Sequence, residues 1–323
     1  MTALVTLDQI KTAAHAIKPY VYETPLVPAQ ELSHRCGGRA FLKAENLQLT
    51  GSFKIRAAIN SILNLPSREI NGVIASSSGN FAQALAYAGA QHGIRVTIVM
   101  EQRSSPLKVS QTRQYGAEVV FCENNFLSRD QTVERLKHER GLVMLHPYNL
   151  PAVIAGNGSC GLEIFTQCPD VDMVLVPVSG GGLISGIATA LKHLRPSINI
   201  IGVQAETSNA AYLSFHRGQI VTLEAPTTIA DGLRASPKEI TFAHIQKYVD
   251  DFVLVSDDEI RRAVIFLLEH NKLLVEPSGA VGVAALLAGK LPVEGKTVVS
   301  VLSGGNISLD ALQALRAEIE AGA

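Results

Sequence analysis

Tryptophan is absent from this 323-residue sequence, cysteine occurs only four times, and neither sign of charge dominates. The net charge of −1 argues against nucleic acid or an anionic membrane as a partner. The cysteines form no C-x-x-C pair, which argues against a zinc site or a disulfide framework. No apolar run reaches the roughly 18 residues of a membrane span, and residues 1–8 lack the features of a signal peptide. We therefore expect a cytoplasmic protein that acts on a small molecule.

Short β-branched runs alternate with helix-length segments along most of the chain. This alternation is typical of α/β proteins with mostly parallel sheets. It predicts two open sheets flanked by helices, with a small domain at 68–149 inserted into a large domain formed by 1–67 and 150–323. A ligand is expected between the two. Strands are predicted at 39–45, 72–75, 95–100, 117–121, 142–146, 172–178, 199–203, 251–255 and 297–302. The first helix is predicted at 7–17, with Asp8 as its cap.

The stretch T-G-S-F-K-I-R at 50–56 lies between a predicted strand and an amphipathic helix. Gly51 and Ser52 are small enough for the backbone to bring Lys54 close to a ligand. A buried lysine amine loses part of its proton affinity and can act as a nucleophile and base. A lysine at a helix start is more often solvated, so this interpretation depends on the rest of the chain.

Three more motifs follow predicted strands: S-S-S-G-N-F at 76–81, V-S-G-G-G-L at 178–183 and V-L-S-G-G-N at 301–306. Helix N-termini beyond parallel strands bind anions, because their first N–H groups have no partner in the helix. Three successive glycines favour a phosphate-binding loop. Serine capping is an equally good account of the first and third motifs. The segments A-D-G-L at 230–233 and E-P-S-G-A at 276–280 are weaker signals, since both are typical of turns.

The glycine loop also has a competing interpretation. Gly180, Gly182 and Gly186 resemble a variant dinucleotide-binding fingerprint, and Glu206 ends the next predicted strand at about the ribose-binding distance. A nicotinamide-dependent oxidoreductase would use these residues. It would leave Lys54 and Ser303 without roles.

Lys54 in T-G-S-F-K-x-R, followed by S-S-G-N, the glycine loop, E-P-S-G-A and S-G-G-N, resembles the serine/threonine dehydratase and serine racemase family over nearly the whole chain. The resemblance implies fold type II of the pyridoxal-phosphate enzymes, the tryptophan synthase β-like fold, and a homodimer. It implies that Lys54 holds pyridoxal phosphate and removes the substrate's α-proton. The implied cofactor-binding residues are Phe53, Lys54, Asn80, Ser179, Gly180, Gly181, Gly182, Leu183, Gly232, Glu276 and Ser303. The implied substrate-binding residues are Ser77, Ser78, Gly79, Asn80 and Arg129.

Some positions bear on the type of reaction. Ser78 matches the second acid/base of the racemases and is the second predicted catalytic residue, although dehydratases share the motif. Phe81 stands where the family usually has histidine, which suggests a modified substrate pocket. Glu206 and the carbonyl of Ala210 resemble a site for Mg²⁺ or Ca²⁺. Tyr212 replaces the acidic third ligand there, which weakens the metal prediction.

The sequence therefore predicts a pyridoxal-phosphate dependent lyase that eliminates the β-hydroxyl of a small hydroxy-amino acid such as threonine or serine, giving a 2-oxo acid and ammonia. Racemisation of serine is an alternative within the same cofactor class. Dehydration of 3-hydroxyaspartate, or of an osmolyte-derived 3-hydroxy-diamino acid, is another. A binding protein that has lost catalysis is disfavoured, because Lys54 and Ser78 are both present.

Overall fold

A computed structural model describes residues 3–67 and 70–322, and these residues contain two β-sheets. The strands are β1 (Leu26–Pro28), β2 (Arg39–Lys43), β3 (Val73–Ser76), β4 (Val96–Glu101), β5 (Glu118–Cys122), β6 (Val143–Met144), β7 (Met173–Pro177), β8 (Asn199–Ala205), β9 (Asp251–Val255) and β10 (Thr297–Val301). The larger sheet has six strands in the order β1-β2-β10-β7-β8-β9. The smaller sheet has four, in the order β5-β4-β3-β6.

The pairing of these strands is parallel, apart from the antiparallel pair formed by β1 and β2. In the middle of the larger sheet, Val298 of β10 lies beside Ala40 of β2 and Met173 of β7. Every residue of β7 and β10 is buried, as expected for parallel strands covered by helices on both faces. The predicted α/β fold with two mostly parallel sheets is confirmed.

The helices are α1 (Leu7–Ile17), α2 (Gln30–Cys36), α3 (Lys54–Leu63), α4 (Asn80–His92), α5 (Pro106–Gln114), α6 (Phe126–Arg140), α7 (Pro151–Gln167), α8 (Gly182–Leu194), α9 (Ala210–Arg217), α10 (Glu239–Tyr248), α11 (Asp257–Phe266), α12 (Pro277–Leu287) and α13 (Leu309–Gly322). The predicted Asp8 cap of α1 is wrong, because Thr6 caps this helix. The Thr6 hydroxyl accepts the Gln9 N–H, and the Gln9 side chain accepts the Thr6 N–H.

Four predicted strands are shorter than expected: those at 172–178 and 297–302 lose single residues at their ends, and two others lose two residues at their C-terminal ends. The strand from 39 ends at Lys43, because Glu45 begins a short 3₁₀ turn and its carboxylate binds Arg56. The strand from 142 keeps Val143 and Met144, and the backbone then turns around the ring of His146. Nδ1 of His146 accepts the backbone N–H groups of the two residues that follow Pro147.

The helix α3 packs against α4 and α7. Ile55 and Ile59 share a buried cluster with Val73 of β3 and Ile98 of β4. A separate cluster lies between the larger sheet and helices α11 and α12. Phe53, directly before α3, belongs to a third cluster with Val299 and Val301 of β10, so the start of α3 lies between residues that pack with the two sheets. The division into domains at 68 and 149 stays a prediction.

Candidate active site

Lys54 is the first residue of α3, and the segment before it runs beside the chain that follows β10. The Phe53 N–H donates to the Ser303 carbonyl (3.1 Å), and Ser52 forms an isolated antiparallel bridge with Gly304. Gly51 has a left-handed backbone (φ 70°), and a Cβ atom there would lie 2.6 Å from Asn306 Oδ1. Only glycine suits this position. The structure therefore places Phe53, which directly precedes Lys54, next to Ser303.

The Lys54 amine lies between two aromatic rings. Its Nζ atom is 4.9 Å from the ring centre of Phe53 and 5.9 Å from that of Phe81. It donates a hydrogen bond to the Pro147 carbonyl (3.2 Å). Burial lowers the pKa of Lys54 from 10.5 to about 8, because the charged form loses solvation. Near neutral pH a useful fraction of this amine is unprotonated and nucleophilic.

The glycine loop lies between β7 and α8, and Gly181 caps α8 with φ 90°. A Cβ atom at Gly180 would lie 2.4 Å from the Tyr148 ring, and one at Gly182 would lie 3.0 Å from Tyr148 Cβ. Side chains are therefore excluded from this loop and cannot cover its N–H groups. The Ser179 hydroxyl accepts the Ala235 N–H (3.1 Å), so its own proton is available to a ligand.

The glycine loop and Lys54 contact two consecutive residues, Tyr148 and Pro147. Tyr148 packs on the glycines, and Pro147 accepts the hydrogen bond of Lys54. A helix N-terminus with a nest of N–H groups therefore lies near an amine of lowered pKa. Such an arrangement suits a small molecule that carries both a phosphate and a carbonyl.

Asn80 is the first residue of α4, and its amide is held on both sides. Its Nδ2 donates to Glu276 Oε1, and its Oδ1 accepts from Asn306 Nδ2 (3.0 Å). Asn306 also donates to the Thr50 carbonyl (2.9 Å), which connects Asn80 to the segment before Lys54. Close by in the chain, Ser278 Oγ accepts the Gly232 N–H (2.9 Å). Asn80, Glu276, Gly232 and Ser303 thus belong to one neighbourhood.

A family model described as "Pyridoxal-phosphate dependent enzyme" matches residues 17–304. The chain belongs to this family. Its L-threonine ammonia-lyase relative from Thermotoga maritima is 45% identical over 309 residues, which cover 95% of this chain and 77% of that protein. The catabolic L-threonine dehydratase of Escherichia coli is 42% identical over 321 residues, 98% of each chain. Among solved structures, maize serine racemase superposes with a TM-score of 0.93 at 36% identity and covers 99% of each chain.

These similarities confirm the predicted family, fold type II and pyridoxal phosphate as cofactor. The observed residues fit that cofactor. The glycine loop offers uncovered N–H groups to a phosphate, and Lys54 offers an amine whose pKa is lowered to about 8. The nicotinamide interpretation of Gly180, Gly182 and Gly186 gains no support, because the matched family uses a different cofactor.

The motif that follows β3 contains the other predicted catalytic residue. The Ser78 hydroxyl accepts the Glu101 N–H (3.4 Å), and the Ser77 hydroxyl accepts the Gly79 N–H (3.4 Å). These residues lead directly into Asn80 at the start of α4. Arg129 lies on α6, with a guanidinium nitrogen 3.8 Å from Glu101 Oε1. Glu101 therefore connects Arg129 to the serine motif, and the binding roles of these residues stay predictions.

The predicted metal site gains no support from the structure. Glu206 is half-exposed, and its carboxylate lies 3.5 Å from the Lys290 ammonium. Ala210 begins α9 and is buried. Across residues 3–67 and 70–322, no group of three or more histidine, cysteine, aspartate or glutamate side chains is arranged to hold a metal. Within the same residues, no helix combines the length and apolar character needed to cross a bilayer.

Three further residues lie beside this site and belong to none of the sequence motifs. Tyr148 packs on the glycine loop, and His146 shapes the turn that carries Pro147. Lys108 of α5 lies 2.9 Å from Asp231 and 3.6 Å from Glu276. No local pattern marks them, because their contacts join distant parts of the chain. In the sequence, the apolar residues of 142–146 indicate only a strand.

Proposed function

We propose that this enzyme eliminates the β-hydroxyl of L-threonine or L-serine and releases a 2-oxo acid and ammonia. The β-hydroxyl and the α-proton leave together as one molecule of water. A second water molecule then replaces the nitrogen at Cα, which leaves as ammonia. The observation that carries the proposal is the Lys54 amine, held at Pro147 next to the residue that packs on the glycine loop. The L-threonine ammonia-lyase of T. maritima and the L-threonine dehydratase of E. coli, to which the chain is similar, support the choice of substrate.

Pyridoxal phosphate, when bound, withdraws electrons from Cα of an amino acid and makes the α-proton acidic. In this proposal Lys54 holds the cofactor and then accepts that proton. Ser179, Gly180, Gly181, Gly182 and Leu183 bind the phosphate, while Phe53, Asn80, Gly232, Glu276 and Ser303 surround the ring. Ser77, Ser78, Gly79, Asn80 and Arg129 bind the substrate.

In this proposal, Ser303 favours β-elimination over reactions that need a long-lived negative charge at Cα. With the cofactor bound, the neutral hydroxyl of Ser303 would face the ring nitrogen and would stabilise a protonated ring less than a carboxylate would. Prompt loss of the β-hydroxyl would then be favoured. Phe81 contributes an apolar wall near the amine, because its buried ring lies 5.9 Å from Lys54 Nζ.

Product analysis tests this proposal. The purified enzyme is incubated with L-threonine, L-serine, 3-hydroxyaspartate and a 3-hydroxy-diamino acid, and the oxo acid is quantified. We expect oxo acid from threonine or serine, and a loss on the order of 10³-fold in Lys54→Ala. Lys11→Ala, at an exposed position of α1, serves as the control. Undiminished elimination by Lys54→Ala would show that another residue is the base.

Serine racemisation is the second candidate, favoured by Ser78 and by the similarity to maize serine racemase. A racemase needs an acid/base on each face of Cα, and Ser78 is the proposed partner of Lys54. Chiral analysis of L-serine reactions separates the two activities. Conversion of L- to D-serine without oxo acid would replace our proposal, and Ser78→Ala should then abolish the conversion.

We also propose a cytoplasmic homodimer whose 68–149 domain closes over the substrate. The near-neutral charge and four free cysteines are consistent with a reducing compartment. Sedimentation tests the dimer. Solution scattering with and without a substrate analogue tests the closure, and indistinguishable curves would count against it.

A further inference from the structure

Lys108 joins the two sides of the candidate site through two ion pairs. It lies on α5, which accompanies the smaller sheet, and only 7% of its side chain is exposed. Its ammonium is 2.9 Å from Asp231 Oδ2 and 3.6 Å from Glu276 Oε2. Asp231 begins a 3₁₀ turn, and Glu276 directly precedes α12, so both partners belong to the chain that follows the larger sheet's β8.

The Glu276 carboxylate passes this contact on to Asn80. One oxygen faces Lys108, and the other accepts the Asn80 amide. Asn80 is held in turn by Asn306, which also binds the Thr50 carbonyl. An unbroken series of polar contacts therefore runs from Lys108 to the segment that carries Lys54.

The charge on Glu276 depends on Lys108. The carboxylate is buried, and the charged groups that face it are Lys108 from α5 and Asp231 from the turn. Burial, together with Asp231, raises the pKa of Glu276 above its ordinary value, and the Lys108 ammonium and the Asn80 amide oppose this shift. Without the ammonium, burial and Asp231 both favour the protonated acid. A protonated Glu276 would lose much of its strength as an acceptor for the Asn80 amide.

We propose that Lys108 is a positioning residue: its ammonium holds the Glu276 carboxylate, and the carboxylate thereby fixes the Asn80 amide at the edge of the cofactor site. The link to catalysis rests on the proposed function, in which Asn80 contacts the cofactor ring. The ion pairs themselves do not depend on it. Lys108 therefore touches neither substrate nor cofactor in this proposal and acts through Glu276.

The first test uses the cofactor-free protein and needs no activity. Lys108→Met leaves a buried carboxylate without a cation, so we expect a loss of roughly 5 to 10 °C in Tm at pH 8. Lys108→Met/Glu276→Gln removes both charges, and most of that loss should be recovered. A double variant whose loss equals the sum of the two single losses would show that Lys108 and Glu276 are uncoupled, which overturns the proposal.

The second test uses the loaded enzyme. In Lys108→Met, we expect kcat to fall about tenfold or more, and the pH midpoint of the cofactor's visible absorption band to move by about 1 pH unit. Lys108→Arg should keep kcat and the pH midpoint close to their wild-type values, because it keeps the positive charge. Lys192→Met is the control, since its ion pair with Asp250 joins α8 to the approach of β9 away from these residues. It should leave rate and spectrum unchanged.

The Glu276→Gln background isolates the route of the effect. In that background, Lys108→Met should change kcat by less than about threefold, because the Glu276 carboxylate that Lys108 binds is absent. An equal loss in both backgrounds would overturn the proposal. A wild-type protein that binds pyridoxal phosphate but forms no oxo acid would contradict the proposed function alone. The Tm cycle would still decide the role of Lys108.

Discussion

At the scale of single residues, the central feature is the Lys54 amine, whose protonated form is destabilised by burial. Lys54 is surrounded by two aromatic rings and a single carbonyl partner, and burial lowers its pKa to about 8. The N-terminus of α3 adds to this effect, because the helix dipole disfavours a cation there. A cofactor bonded to the amine would remove this cost, so the same burial favours both reactivity and cofactor retention.

Replacing Lys54 should therefore stabilise the cofactor-free protein. A pKa lowered from 10.5 to about 8 means that the unfolded state binds more protons between these pH values, so stability rises with pH across this window. Lys54→Met should gain roughly 2 to 3 kcal/mol at pH 7 and only about 1 kcal/mol at pH 10. Urea unfolding at both pH values measures the gain, with Lys11→Met as the exposed control. A gain that is the same at both pH values would contradict the lowered pKa.

At the scale of elements, α3 is fixed by a buried ionic network directly behind Lys54. Arg56 binds both carboxylate oxygens of Glu45 (2.8 Å each) and both oxygens of Glu163 on α7 (2.6 and 2.8 Å). Lys43 of β2 also binds Glu163 (2.6 Å). Two cations therefore balance two anions, and β2, α3 and α7 keep their relative positions. The network holds the first turn of α3, which carries Lys54.

Breaking this network should cost far more than breaking a surface pair. Arg56→Met leaves Glu45 buried without its main cation, so we expect a loss of about 3 to 5 kcal/mol in the free energy of unfolding. Arg35→Met removes an exposed pair with Glu31 and should cost less than about 1 kcal/mol. Denaturant unfolding of the cofactor-free proteins compares the two. Equal losses would mean that burial adds nothing to the value of the Arg56 network.

The strands and the glycine loop could be predicted because their signals are local. Apolar runs mark β7 and β10, and three glycines mark the loop before α8. The capping box of α1 was also present in the sequence, as Thr6 and Gln9, although Asp8 was chosen. The bonds of Lys108 could not be predicted, because its partners are more than 120 residues away in the chain. Its helix α5 also lacks an apolar stripe that would show which side is buried.

At the scale of the whole molecule, the segment 146–149 connects the smaller sheet to α7 and touches both halves of the site. Pro147 accepts the Lys54 amine, Tyr148 packs on the glycine loop, and Asn149 Oδ1 accepts the Ile240 N–H at the start of α10 (3.1 Å). The neutral ring of His146 holds this segment through Nδ1. Burial, together with Lys238, Lys54 and Arg129, lowers its pKa to about 3.

Acid should therefore weaken the junction before it affects most of the fold. Between pH 6.5 and about 3 the unfolded state gains a proton at His146 that the folded state does not, so stability falls as pH falls. In His146→Asn, the amide oxygen can replace Nδ1 as acceptor without titrating. Its Tm should drop less between pH 7.5 and pH 5 than that of the wild type. His138→Asn, at an exposed site, should behave like the wild type, and equal drops in all three proteins would refute this role.

The identity of the lysine that holds the cofactor decides the role of every other residue in this site. The protein is loaded with pyridoxal phosphate and reduced with borohydride, which fixes the cofactor on the amine that carries it, and the labelled peptide is then mapped by mass spectrometry. We predict a yellow protein with one labelled peptide, modified at Lys54, and no specific label in Lys54→Ala. A label on a different lysine, or a protein that pyridoxal phosphate neither colours nor labels, would contradict the assignment of this site.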